Sequence, residues 1–362
     1  MRRWTVLLLG ILLFPLGGCE APGFLPYARE LEDMALMRTL GVDAAGGNGV
    51  VVTVSTGEQA GGEEPVVLSG TAGTISGACL DMQSQGSSYI YYGHVGQLLL
   101  GEQLAARGVG NALEYVLRDI EMRLDTEVYL IRGAEAGPLI QAAAEAGGSA
   151  TDRLEAMEED AGLLSYSMPR TVGDVLIALE RSGAAFVPAL ESGEEGELEA
   201  AGYGIIKDSV LVGWAEGEAA WGVNLLSDRV DADVLELEGA ALRVVGARTT
   251  IRPVFEGERL TRLTITCSVD ANLAEAPSGI RLQNRDMIEE LERALEERER
   301  IRIQTALELS AALDADFMEL RQAACLAAPW YKTEIDEQWR LTDLEIETSV
   351  VGTILRGYDV KD

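Results

Sequence analysis

One histidine, four cysteines and sixty carboxylates make up the reactive inventory of this 362-residue chain. His94, within Tyr91-Tyr92-Gly93-His94-Val95, could act as a general base. Zinc sites of the HExxH kind and His-rich metal sites need further histidines, which the sequence lacks. His94 lies between a predicted strand and a predicted helix with no partner for a relay, and is read as a structural, hydrogen-bonding residue. Cys79, Cys267 and Cys325 are widely spaced and no Cys-x-x-Cys pair occurs. Cys79 and Cys267 stand in apolar contexts that suit small buried hydrophobes. Gly108-Val109-Gly110-Asn111 opens like a dinucleotide-binding turn, but it lacks the third glycine and follows a predicted helix where a strand is required. No GxxxxGK phosphate loop is present. Sixty carboxylates are too many for spacing to single out a glycosidase-like pair. The reading assigns no catalytic, cofactor-binding or metal-ligating residue.

Cys19 has a different context. Met1-Arg2-Arg3-Trp4 is a short cationic start, an apolar run follows from Thr5 to Leu16, and Gly17-Gly18-Cys19 closes it. Twelve apolar residues rise only about 18 Å as a helix, short of the ~30 Å hydrocarbon core, so the segment reads as a secretory signal and not a membrane span. Leu16-Gly17-Gly18-Cys19 resembles a bacterial lipobox. The expectation is cleavage after Gly18 and a diacylglyceryl thioether on Cys19, two acyl chains being enough for stable anchoring where one is marginal.

Composition excludes whole classes of partner. The net charge is −31, so phosphate backbones would repel the chain and nucleic acid is not an expected partner. Anionic headgroups would repel it too, which leaves the lipid on Cys19 as the means of membrane attachment. An apolar fraction of 47% argues for packed globular structure over disorder.

The elements that would carry these residues alternate between the two periods. Val50–Val54, Val66–Leu68, Ser88–Tyr92 and Glu127–Ile131 read as strands, with Glu58–Glu64 as a polar loop. Helices are expected over Thr74–Gln85, where Ile75, Ala78, Cys79 and Met82 share a face, and over Leu98–Ala106, Asn111–Arg118, Asp152–Met157 and Thr171–Gly183. Phe186–Pro188 reads as a short strand, and Gly204–Lys207 with Val210–Trp214 as a hairpin. Ala241–Arg252 and Leu260–Val269 read as long strands, the second alternating Leu263, Ile265, Cys267 and Val269 with polar residues. Asn284 to about Leu313 is one long helix, its charge run a solvated face with Glu289–Arg293 and Glu296–Arg300 as i,i+4 pairs. Thr342–Ile354 is a final strand.

The fold class is therefore α/β (α+β), with mixed sheets packed with helices and a long helix in the C-terminal part. The expected organisation is a signal peptide over 1–18, an N-terminal α/β domain over 19–168, a middle domain over 169–222 and a C-terminal α+β domain over 223–362. The acidic stretch Glu191–Glu199 reads as a loop and is the best candidate for a domain boundary within the chain.

Taken in order, several segments resemble Ger(x)C proteins, the lipoprotein C subunits of bacterial spore germination receptors. Arg29-Glu30-Leu31-Glu32-Asp33-Met34-Ala35-Leu36, followed by Leu40-Gly41-Val42-Asp43, resembles the mature N-terminal signature. Gly93–Leu104 and Glu114–Arg123 match further on, as do Leu211-Val212-Gly213-Trp214, Trp221–Leu226 and Val269–Glu275. Glu20-Ala21-Pro22 stands where the family has Trp-Asp after the lipidated cysteine, and Asp316-Phe317-Met318 lacks the glycines common after the C-terminal helix. The resemblance implies a multi-domain, non-enzymatic lipoprotein with no cofactor. Its implied partners are two membrane-embedded subunits, A and B, and its implied location is the outer face of the spore inner membrane. A lipid-anchored extracytoplasmic solute-binding protein is the alternative reading.

Overall fold

The apolar run Leu98-Leu99-Leu100 sets the architecture. It is buried on both sides, as a central parallel strand must be when helices cover both faces of a sheet. The computed structural model describes residues 33–57, 65–86, 88–146, 149–164, 166–193, 198–230, 233–237, 240–275 and 285–355. The strands of its first region are β1 (Met34–Leu36), β2 (Thr39–Ala44), β3 (Val50–Ser55), β4 (Val67–Ala72), β5 (Tyr89–Tyr91), β6 (Gln97–Gly101), β7 (Glu127–Ile131), β8 (Ala184–Ser192), β9 (Leu198–Lys207) and β10 (Val210–Ala215). Eight of them form one mixed sheet in the order β10-β9-β8-β7-β6-β2-β3-β4. Its middle, β8-β7-β6-β2, is parallel; β3–β4 and β9–β10 add antiparallel flanks. β1 and β5 pair separately, in parallel.

Helices α1 (Ile75–Gln85), α2 (Glu102–Arg107), α3 (Gly110–Arg118), α4 (Ala136–Glu145), α5 (Ala150–Leu164) and α6 (Val172–Ser182) cover this sheet. Leu98, Leu100, Val128 and Leu130 point to α1, α3 and α6, while Leu99, Tyr129 and Ile131 point to α4 and α5. The helix expected over Leu98–Ala106 is thus a strand up to Gly101 and a helix only from Glu102. Its triple leucine fits a doubly covered strand as well as a buried helix, and burial on both faces decides. The Thr74 side chain caps α1 through the Gly77 amide at 3.1 Å. The Thr171–Asp174 capping box starts α6, and Gly183 ends it in the left-handed region at φ 71°.

The segment 169–222, expected as a middle domain, supplies β8, β9 and β10 to the large sheet. The two ends of the acidic stretch are strand residues, Glu191 in β8 paired opposite Glu199 in β9. On one face of β8 and β9, Ala184, Phe186, Tyr203 and Ile205 belong to the core of the C-terminal region. That core also holds α7 (Glu218–Leu226), α8 (Arg285–Leu313), α9 (Leu320–Ala327) and α10 (Lys332–Gln338). It lies against a second sheet, β11 (Asp233–Leu237), β12 (Ala240–Glu256), β13 (Arg259–Glu275) and β14 (Glu345–Leu355), in that order. β12 and β13 are an antiparallel hairpin turning at Gly257, φ 68°, and β14 joins β13 in parallel. Leu263, Ile265, Cys267 and Val269 all face the core, as their alternation predicts.

Helices α7 and α8 pack closely because residue 222 has no side chain. A Cβ on Gly222 would land on the Arg302 carbonyl and stand 2.8 Å from the Ala306 Cβ. No described helix is long and apolar enough to cross a membrane.

Candidate functional site

Each residue that sequence reading singles out has a definite place, except Cys19, which lies outside the described residues together with the whole stretch 1–32. His94 is exposed in the turn between β5 and β6, its ring edge-on to Tyr91 with centroids 5.9 Å apart. Among the described residues it makes no hydrogen bond, so the hydrogen-bonding role expected of it is not seen. The Gly108–Gly110 turn leaves α2 and is fixed by the Val109 amide donating to the Ser209 carbonyl at 2.7 Å. Its glycines dock the β9–β10 turn. Burial pushes the Cys79 and Cys325 thiols up and the Cys267 thiol to about 11, so all three stay protonated at neutral pH and are poor nucleophiles. Among the described residues no group of three His, Cys, Asp or Glu side chains is arranged to hold a metal ion.

Three concavities stand out among the described residues. A cleft of about 410 Å³ opens between the start of α1 and α3, with Ser76, Asn111, Glu114 and Arg118 on its walls. Glu114 and Arg118 are already paired there at 3.2 Å. A shallower cleft of about 270 Å³ adjoins it beside Cys79 and Tyr92. The third is a groove of about 380 Å³ between α8 and β14, lined by Arg300, Gln304, Leu307, Glu308, Ile346 and Thr348. None of the three brings a nucleophile against a base.

Helix α8 carries the feature that sequence reading missed. Its charges do not all face water: Glu299 is 1% exposed and Arg302 5%. Arg302 Nη1 donates to Asp233 at 2.6 Å and to Glu299 at 3.1 Å, its Nε reaches Glu218 at 3.2 Å, and the guanidinium stands over Trp221. Arg298 also pairs with Glu218. Three carboxylates share two guanidiniums, and burial pushes the Glu299 carboxyl up to about 7 against the pull of Arg302. The signal was spacing: Leu295, Glu299, Arg302 and Ala306 fall on one helical stripe, so the charged pair sits on the buried face.

The i,i+4 pairs are also redistributed. Glu289 pairs with Arg285 at 2.8 Å while Arg293 donates to the Glu289 carbonyl, and Arg300 pairs with Glu297 at 2.7 Å. Glu296 turns instead to the sheet, accepting the Gly352 amide at 3.1 Å, and Glu292 accepts that of Ile354 at 3.1 Å. Both amides lie on the outer edge of β14, where they would otherwise be unpaired.

Comparison with known proteins matches the chain in two consecutive pieces. Residues 27–192 match the family profile described as spore germination protein N-terminal domain, and residues 201–357 match that described as spore germination B3/GerAC like, C-terminal. The gap between them falls within the β8–β9 connection and the start of β9. Among solved structures, the crystal structure of the GerBC protein superposes with a TM-score of 0.56 at 16% identity, covering 87% of this chain and 96% of that one. At that identity the likeness shows a shared fold. No curated protein matches the sequence significantly.

Proposed function

From the premise that the chain belongs to the Ger(x)C family of spore germination receptor C subunits, we propose that it acts without catalysis, as a lipid-anchored component assembling with membrane-embedded A and B subunits. The observation that carries this reading is the pair of family profiles, which together run from residue 27 to residue 357 in one order. The lipobox at Leu16–Cys19 supports a thioether anchor on Cys19, left as the first residue once the signal peptide 1–18 is removed. The lipobox and the family support a location on the outer face of the spore inner membrane.

An acidic body gains nothing from anionic lipid, so its working contacts are with protein. Tethering raises the local concentration of partner surfaces and lets individually weak contacts suffice. Deleting the gene should abolish the response to one nutrient and leave germination through unrelated receptors intact. Cys19→Ala should give an unprocessed or soluble chain; if it stays with the membrane after a high-salt wash as the parent does, the anchor lies elsewhere. Micromolar binding of a nutrient by the chain alone would replace this reading with that of a solute-binding protein.

A further inference from the structure

The outer edge of β14 is treated differently along its length. Gly352 and Ile354 point their amides away from β13 and into the Glu296 and Glu292 carboxylates. Backbone groups alternate sides along a strand, so Ile346, Thr348 and Val350 also turn their N–H and C=O groups to that outer edge. Among the described residues none of these three amides has a hydrogen-bond partner outside the sheet. Beside Ile346 and Thr348, between β14 and α8, lies the groove of about 380 Å³, with Leu307 and Ala311 in its lining. One half of the edge is blocked by side chains, and the other half is open and flanked by an apolar trough.

The charge around the trough selects its occupant. Glu308 stands on the groove wall in no ion pair among the described residues, Glu292 and Glu296 follow along the edge, and Arg262 is outnumbered by Glu345 and Glu347 while Arg300 is offset by Glu297, so the rim is net negative. The chain as a whole carries −31. An acidic rim of this kind favours a strand that brings positive charge and disfavours an acidic one.

We propose that the open half of β14, Ile346 to Val350, is a strand-addition site for an extended, Lys- or Arg-bearing segment of a partner protein. The added strand would pair with the free backbone groups and place alternate side chains in the trough, its basic residues reaching the glutamate rim. The inference rests on the assembly reading only in supposing that a protein partner exists; the edge itself can be tested without any receptor.

The test uses the full-length chain in detergent and two hexapeptide probes, one alternating valine with lysine and one alternating valine with glutamate. The lysine peptide should bind saturably and slow amide exchange at 346–350, and the glutamate peptide should not. Thr348→Pro removes one outward amide at a position where an edge strand tolerates proline, and should weaken binding at least tenfold. Thr348→Val keeps the amide and should bind like the parent, which controls for loss of the threonine side chain, and a Tm of Thr348→Pro within a few degrees of the parent shows that the proline variant is folded. Glu308→Lys should weaken binding about threefold and flatten its salt dependence. Equal binding of both peptides, protection elsewhere on the chain, or full affinity in Thr348→Pro would overturn the proposal. So would a dimer of this chain that the lysine peptide dissolves, since the occupant would then be a second copy. Failure of membrane subunits to co-purify would count against the assembly reading and leave the peptide result standing.

Discussion

Asp43, at the end of β2, accepts the backbone N–H of Gly137 at 2.7 Å through one carboxylate oxygen. Its other oxygen accepts the Ala136 N–H at the same distance, so a strand residue caps α4 from 93 positions upstream. Glycine at 101 makes this possible, because a Cβ there would meet the carboxylate. Burial pushes the Asp43 carboxyl above its usual range even though both amides pull it down.

Asp43→Ala should therefore leave two buried amides at the start of α4 unpaired and cost about 2–3 kcal/mol. Asp43→Asn, which keeps one acceptor oxygen, should cost roughly half of that. Urea denaturation at constant m reads both; an alanine variant within about 0.5 kcal/mol of the parent would show that the cap contributes little.

Gly222→Ala adds a methyl group where α7 already touches the α8 backbone. The helices must part, and overpacking of this sort costs about 1–3 kcal/mol. A midpoint unchanged in denaturant would mean that α7 shifts freely.

The Glu299 carboxyl gives a pH dependence with a definite sign. Its folded-state value of about 7 lies above the ordinary 4.5, so between those values the folded chain holds a proton that the unfolded chain has released. The resulting stability is complete below about 4.5 and is lost as pH rises through about 7. Glu299→Gln removes this term. The Tm of the variant should gain on that of the parent between about pH 5 and pH 8, and parallel curves would refute the shift.

Among the described residues, His94 is exposed and has a ring contact with Tyr91 alone. His94→Gln should stay within about 0.5 kcal/mol of the parent and retain germination. A well-folded variant that fails to germinate would make this histidine functional.

Local signals in the sequence were sound where one physical cause dominated. The alternation Leu263-Ile265-Cys267-Val269 marks a strand with one wet face, and Thr171 with Asp174 and Gly183 marks both ends of α6. Leu98–Leu100 misleads because periodicity vanishes in a strand covered on both faces. On α8 residue type alone points every arginine and glutamate to solvent, whereas position on the apolar stripe decides which are buried. The free half of β14 has no local signal, since an open edge depends on which strand lies beside it.

The gap between the two family profiles, residues 193–200, falls at the junction of β8 and β9, and so within a single hydrogen-bonded sheet. A fragment ending at Ser192 would lose β9 and β10 and leave β8 with a bare edge, Phe186 stripped of Tyr203 beside it. The matching C-terminal fragment would keep β9 without the strand it pairs with. Regions that look separable in the sequence are thus obliged to fold together, and heat or urea should melt them in one cooperative transition, with neither half persisting alone.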